Sequence, residues 1–196
     1  NNANNRVITG SGSANTLEGE QRLTYDGNGI FNITGTGAAG VFVITPDTVD
    51  GGIYFNDGSS NKGALTYLHS NDTLNFRVNG TNKMTINSSG NMGLGVTPNT
   101  SWPSNGDFRA LQIGTGACVF GRGSGDEDRG GVAVNFYHDG SARKYLANGH
   151  ASIIDLNDGA IIFSNAASNS SGANAAMTVN ERLRIDSSGN LLVGKT

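Results

Sequence analysis

The sequence is short of the residues from which disulfides, metal centres and highly charged surfaces are made. Cys118 is the single cysteine in 196 residues, which excludes an intrachain disulfide and a metal site built from several cysteines. Charged residues make up 15% of the chain, and the net charge is −3. Because no basic patch accompanies this balance, we expect no nucleic acid among the partners.

Long apolar runs are missing as well. No stretch approaches the length that spans a membrane and no signal peptide opens the chain, so we expect no membrane insertion. Only 36% of the residues are hydrophobic, yet the low charge does not match a disordered chain. Such a chain has difficulty burying enough apolar surface alone to offset the entropy lost on ordering. We therefore expect an obligate oligomer, in which other copies supply the missing burial.

Helical periodicity is absent too, since apolar residues nowhere recur at helical spacing over three turns. The chain instead has 30 glycines and one motif that it repeats three times without a gap. The copies read RLTYDGNGIFNIT at 22–34, KMTINSSGNMGLG at 83–95 and RLRIDSSGNLLVG at 182–194. In each copy, two runs that alternate apolar and polar residues flank a four-residue turn, which predicts a β-hairpin.

The turn of this motif has a chemical signature. Asp or Asn at its first position accepts hydrogen bonds from the turn's own backbone, and glycine at its fourth position takes a left-handed conformation without a Cβ penalty. We expect these structural roles for Asp26, Gly29, Asn87, Gly90, Asp186 and Gly189.

Short alternating runs separated by turn residues fill the rest of the chain, which predicts an all-β fold of short antiparallel strands and hairpins. We expect an N-terminal shaft or connector with the first hairpin at 1–50, a small β module at 51–105 and a larger β module at 106–196. Residues 41–44 are apolar throughout, so they are expected to form a strand that is buried on both faces. Asn-Gly at 79–80 is expected to close a tight hairpin.

The boundary between the two modules is expected within 98–109, which holds two of the three prolines and the only tryptophan. The ring of Trp102 could stack on a sugar, as aromatic faces do. The favoured interpretation is that Trp102 fills the seam between two domains.

Two polar segments, 121–131 and 164–174, are predicted to be loops and candidates for receptor contact. The first is rich in glycine and charge; its carboxylates could ligate a cation, although a solvated loop balanced by two arginines is the favoured interpretation. The residues predicted to contact a receptor are Trp102, Arg122, Asp126, Glu127, Asp128 and Arg129.

Catalytic chemistry finds little support in the sequence. The last eight residues, GNLLVGKT, match the P-loop pattern, but no helix follows the threonine to direct its N-terminus at a phosphate. His69, His138 and His150 lack the spacing of metal ligands. We therefore predict no catalytic residue and no cofactor, and the sequence identifies no metal ligand.

Four segments resemble bacteriophage tail fibre proteins, in particular those of marine and cyanobacterial phages. They are NNRVITGSGSANTLEGEQRLTYDGNG at 4–29, LNFRVNGTNKMTINSSGNMGLGVTP at 74–98, ALQIGTGACVFG at 110–121 and AMTVNERLRIDSSGNLLVGKT at 176–196. The resemblance covers most of the chain. In the family, a C-terminal intramolecular chaperone often trimerises the fibre and then cleaves itself off; the expectation here is a segment upstream of such a chaperone.

The resemblance implies a structural protein of the virion, located in the extracellular tail fibre. The expected form is an intertwined homotrimeric fibre with β-sandwich or β-prism-like modules. Its partners would be other tail or fibre proteins and a polysaccharide or protein receptor on the bacterial surface.

Two alternatives remain open at this point. A tailspike that degrades polysaccharide would need a pair of carboxylates in a groove, and the candidates are Asp107, Asp126, Asp128 and Asp155, which nothing in the sequence pairs. A bacterial surface adhesin is the other alternative.

Overall fold

A computed structural model describes residues 6–10, 17–25, 31–33, 41, 43–58, 61–103, 108–123 and 128–194. These residues form strands, turns and bends, and none of them lies in a helix. The predicted all-β fold is therefore confirmed. The chain divides into two compact units, Asn1–Ile44 and Thr45–Thr196. The three-part division expected from the sequence stays a prediction.

The first unit holds a three-stranded antiparallel sheet in the order β1-β2-β3. Its strands are β1 (Arg6–Gly10), β2 (Leu17–Tyr25) and β3 (Phe31–Ile33). Strands β2 and β3 are the two arms of the first repeated hairpin, and the turn residues Asp26 and Gly29 lie outside the described residues.

The prediction of a buried strand at 41–44 is wrong for the described residues of that run. None of them is in a strand, and Val41 and Ile44 are 69% and 87% exposed. Phe42 lies outside the described residues. Hydrophobicity alone does not make a strand, because a strand also needs a neighbour to accept its backbone hydrogen bonds.

The second unit is built on a twelve-stranded sheet whose neighbours follow the chain, from β4 to β11 and then from β14 to β17. All neighbouring pairs are antiparallel except β8 and β9, which are parallel. The strands of this unit are β4 (Gly51–Asn56), β5 (Asn61–Leu68), β6 (Thr73–Val78), β7 (Thr81–Ile86), β8 (Met92–Leu94), β9 (Phe108–Ile113), β10 (Ala117–Arg122), β11 (Gly130–Val134), β12 (Tyr137–His138), β13 (Arg143–Lys144), β14 (Gly149–Asn157), β15 (Ala160–Asn169), β16 (Val179–Ile185) and β17 (Leu191–Val193). Strands β12 and β13 pair separately, in the excursion between β11 and β14.

The second and third copies of the repeated motif fold alike. At Asn87 and at Asp186, the side-chain oxygen Oδ1 accepts hydrogen bonds from the backbone N–H groups two and four residues later. Gly90 and Gly189 have φ angles of 78° and 84°. The structure thus shows the predicted turn at both copies.

The Asn-Gly hairpin between β6 and β7 is also confirmed. Asn79 and Gly80 have φ angles of 50° and 73°, the combination that a tight turn with two left-handed residues requires.

The segment that connects β8 to β9 lies close to the backbone of β8. A Cβ atom on Gly93 would collide with the carbonyl oxygen of Val96 and would lie 2.8 Å from the Pro98 ring. Only glycine fits at this crossing. The sheet continues across the boundary predicted at 98–109, through the parallel pair β8 and β9.

The core of this unit is an aromatic cluster on one face of β9 to β15. Trp102 contacts the rings of Phe120, Phe136 and Tyr137 from a segment that precedes β9. The other buried members are Phe108, Ala110, Cys118, Ala133, Tyr145, Ala151, Ile153, Ala166 and Met177.

The two loops predicted for receptor contact are shorter in the structure. Strand β10 extends to Arg122 and β11 begins at Gly130. The prediction of a loop at 164–174 is wrong in its first half, because β15 continues to Asn169. The polar residues of that half pair with β14 and β16, and cross-strand hydrogen bonds satisfy their backbone groups.

Candidate functional site

The feature that distinguishes this unit is an apolar row that crosses the sheet on one face. Residues directly opposite each other on paired strands point to the same side, so the pairing register shows which side chains share a face. One unbroken series of such pairs runs from β5 to β17. Its members are Tyr67, Leu74, Ile86, Met92, Leu111, Val119, Val132, Ile154, Phe163, Leu183 and Val193.

A second apolar row flanks the first on each half of the sheet. From β4 to β11 it comprises Ile53, Leu65, Phe76, Met84, Leu94, Ile113, Ala117 and Val134. From β14 to β17 it lies on the other side of the central row and comprises Leu156, Ile161, Ile185 and Leu191. We call the central row and these flanking residues together the apolar strip.

The strip is uncovered in the single chain. None of its side chains is buried, and Val119, Leu94 and Val193 are 46%, 46% and 68% exposed. Near the middle of the sheet, an open groove of about 400 Å³ is lined by Val119, Ile154 and other strip residues. With eleven strands spaced about 4.8 Å apart, the central row is about 50 Å long.

The opposite face of the sheet carries buried side chains instead of an exposed apolar surface. Under β9 to β15 it is closed by the aromatic cluster. Across β5 to β7 it carries Thr66, Asn75 and Thr85, all buried, and the Thr85 hydroxyl donates a hydrogen bond to Asn75 Oδ1 at 2.7 Å. The continuous exposed apolar surface therefore belongs to one face of the sheet.

No motif in the sequence marked this face as a site. Its signal was present in the alternation of each strand, such as Leu74, Phe76 and Val78 on β6. What the sequence lacked was the pairing register, which decides that the apolar positions of all the strands fall on one side.

Trp102 lies in the core and not on the surface. It is 1% exposed, and its ring centroid is 6.1 to 6.5 Å from three other aromatic rings. This position leaves no open ring face for a sugar, and Trp102 packs inside the unit Thr45–Thr196; its predicted place in a seam between two domains stays a prediction.

Arg122 and Arg129 come together over one aromatic ring. Their guanidinium carbons lie 5.5 and 5.8 Å from the centroid of Phe108. His138 stacks on Phe108 at 4.5 Å. Burial lowers the pKa of His138, and the nearby charge of Arg129 lowers it further. Asp128 is exposed, while Asp126 and Glu127 lie outside the described residues.

Of the four carboxylates considered for polysaccharide cleavage, the structure describes Asp128 and Asp155. Asp155 is buried, and its Oδ2 accepts hydrogen bonds from Arg129 and Arg143, both at 3.3 Å. Such an arrangement is a structural ion pair, since the partners of the carboxylate are cations. Asp107 lies outside the described residues. Arg143 was not singled out from the sequence.

The described ranges offer neither a cluster of metal ligands nor a membrane-spanning helix. They contain no group of three or more His, Cys, Asp or Glu residues placed to hold a metal ion. They also contain no helix with the length and apolar character needed to cross a bilayer. Comparison with known proteins found no matching family model, no matching curated protein and no matching solved structure.

Proposed function

We propose that this chain is a non-enzymatic structural component of a bacteriophage tail fibre, which works as a homotrimer and helps to attach the virion to the bacterial surface. The observation that carries the proposal is the apolar strip. Monomeric soluble proteins rarely expose a contiguous apolar patch larger than a few hundred Å², and such a patch commonly marks an interaction surface.

The apolar area of the strip is large enough to affect folding as well as assembly. Two side-chain rows about 50 Å long cover roughly 600 Å² per chain. At about 25 cal/mol per Å², their burial contributes at most about 15 kcal/mol per chain. This value is as large as the whole stability of an ordinary domain. A sheet of this kind gains its stability when copies assemble, which agrees with the low apolar content of the chain.

Adhesion follows from the same assembly. Three copies present every outer surface three times, so contacts that are weak singly combine into a stronger attachment.

The resemblance of four segments to tail fibre proteins supports the same function. Among the described residues, no arrangement of carboxylates favours the tailspike alternative, because Asp155 is bound by two arginines.

Sedimentation equilibrium of the purified chain tests the oligomeric part of the proposal. The expected species has three times the chain mass of 20.2 kDa. A folded monomer, with native β-sheet circular dichroism at micromolar concentration, would contradict it.

Immunoelectron microscopy tests the location. Antibodies against the chain, applied to virions of the phage that encodes it, should label the tail fibres. Labelling confined to the capsid, or absent from intact virions, would contradict the proposed function.

A further inference from the structure

We infer that the apolar strip is the seam along which copies of this chain pack, with the copies parallel and the strips lying along the axis of the assembly. This inference rests on the proposed homotrimer and adds to it the surface and the direction of association. It concerns the described unit Thr45–Thr196, which contains the whole strip.

The length and apolar character of the strip identify what covers it. The strip is about 50 Å long, consists of uncharged side chains and crosses every strand of the sheet from β4 to β17, with the exposed Arg109 beside it on β9. A small ligand could fill only the groove in the middle and would leave both ends exposed. A partner that covers both ends needs an apolar face of the same length, and the strip of another copy is such a face.

The two faces of the sheet differ in what they offer to another copy. The opposite face offers no equivalent surface, since the aromatic cluster closes one half and buried polar side chains occupy the other. A stable interface of ordinary size covers about 800 Å² per partner, and the strip is the described apolar surface that approaches that area.

The symmetry of a trimer determines the direction in which the copies pack. A three-fold rotation keeps all copies pointing the same way, and it places equivalent residues at equal distances from the axis. The central row runs perpendicular to the strands, in the direction of their hydrogen bonds. Only an axis along that row brings all its residues close to their equivalents in the other copies. Residues at the same position should then face one another at both ends of the strip.

Cysteine cross-linking tests both the surface and the direction. Leu74→Cys on β6 and Val193→Cys on β17 place a thiol near each end of the central row, about 40 Å apart. Each variant is treated separately with a bis-maleimide of about 10 Å reach, the usual spacing of facing sheets. We expect covalently linked dimers in both, seen as a doubled mass in denaturing gels.

Two controls accompany these variants. The unaltered chain contains only Cys118, which is buried and whose pKa burial raises to about 12, so it should remain unlinked. Ser141→Cys places a thiol at the exposed turn between β12 and β13, in the excursion that packs on the opposite face, and it should also remain unlinked.

The cross-linking and sedimentation results together distinguish a wrong seam from a wrong proposed function. If sedimentation gives a trimer and only Ser141→Cys is linked, the seam lies elsewhere and the inference is wrong, while the proposed function stands. Links that form only when the Leu74→Cys and Val193→Cys chains are refolded together would mean antiparallel copies, which overturns the stated direction. If one end variant does not fold, Val119→Cys near the middle of the strip takes its place. This variant should be cross-linked if the strip is the interface between copies. A folded monomer overturns both proposals.

Discussion

In the third copy of the repeated turn, the backbone angle of the fourth residue requires glycine, while crowding does not. Gly189 has a φ angle of 84°, and a Cβ atom added to it would meet nothing within 4 Å. The cost of a side chain at this position is therefore conformational, about 1 to 2 kcal/mol for a residue forced into the left-handed region.

This reasoning predicts that Gly189→Ala lowers the free energy of unfolding by about 1 to 2 kcal/mol. Gly116→Ala is the matched control, since Gly116 also lies in a turn with open space around its Cβ position but without a positive φ angle. Urea unfolding monitored by circular dichroism measures both. Equal effects of the two substitutions would contradict the conformational explanation.

Asp139 illustrates how a turn can make stability depend on pH. Its Oδ1 accepts hydrogen bonds from the backbone N–H groups of Ser141 and Ala142, and Lys144 Nζ lies 3.6 Å from Oδ2. These donors, with the smaller effect of the lysine charge, lower the pKa of Asp139 from 3.8 to about 2. The ionised carboxylate is therefore favoured in the folded chain.

Because the folded pKa lies below the ordinary value, the stabilisation is fully present above about pH 4 and is lost as the pH falls toward 2. We predict that Asp139→Asn, which cannot ionise, shows a smaller loss of thermal stability than the unaltered chain over this range. Scanning calorimetry at several pH values measures the difference. Parallel profiles for the two proteins would show that Asp139 does not contribute.

At the scale of elements, the aromatic cluster joins the segment before β9 to the sheet. Trp102 alone contacts three rings that lie on β10 and in the excursion after β11. We predict that Trp102→Ala destabilises the protein by about 3 to 5 kcal/mol, the usual cost of removing a large buried aromatic side chain. Ile44→Ala, at a side chain 87% exposed, is the control and should change stability by less than about 0.5 kcal/mol.

Denaturant unfolding followed by circular dichroism measures both variants. A small effect of Trp102→Ala would mean that the segment at 98–103 can detach without loss of the sheet. That outcome would return Trp102 to the group of residues able to contact a receptor.

At the scale of the whole molecule, stability and assembly are expected to be one process. A chain that folds only together with its copies should unfold at a higher temperature when its concentration is raised. We predict that Ile154→Lys, which places a charge in the middle of the apolar strip, weakens association more than tenfold. Ser141→Lys, at an exposed turn outside the strip, should leave association unchanged.

Sedimentation equilibrium of the two variants over a range of concentrations measures this difference. The prediction fails if Ile154→Lys associates as the unaltered chain does, because three lysines cannot be buried together in an apolar seam without a large cost.

The sequence by itself determined the local structure of this protein. Alternation and turn chemistry specified hairpins at the second and third copies of the repeat and at Asn79-Gly80, because these depend on neighbouring residues only. Composition likewise predicted that one chain would be short of buried apolar surface. The full length of β15 was missed, since its polar residues are held by strands on either side and not by their own propensity.

Only the tertiary structure decided where the apolar residues meet. The parallel pairing of β8 with β9 and the bulge between Phe163 and Ser164 set the register that aligns one face across the sheet. A shift of one residue in the pairing at either place would have placed the apolar side chains of the following strands on the other face of the sheet. Register is a property of pairs of strands distant in sequence, so no local pattern could reveal the strip.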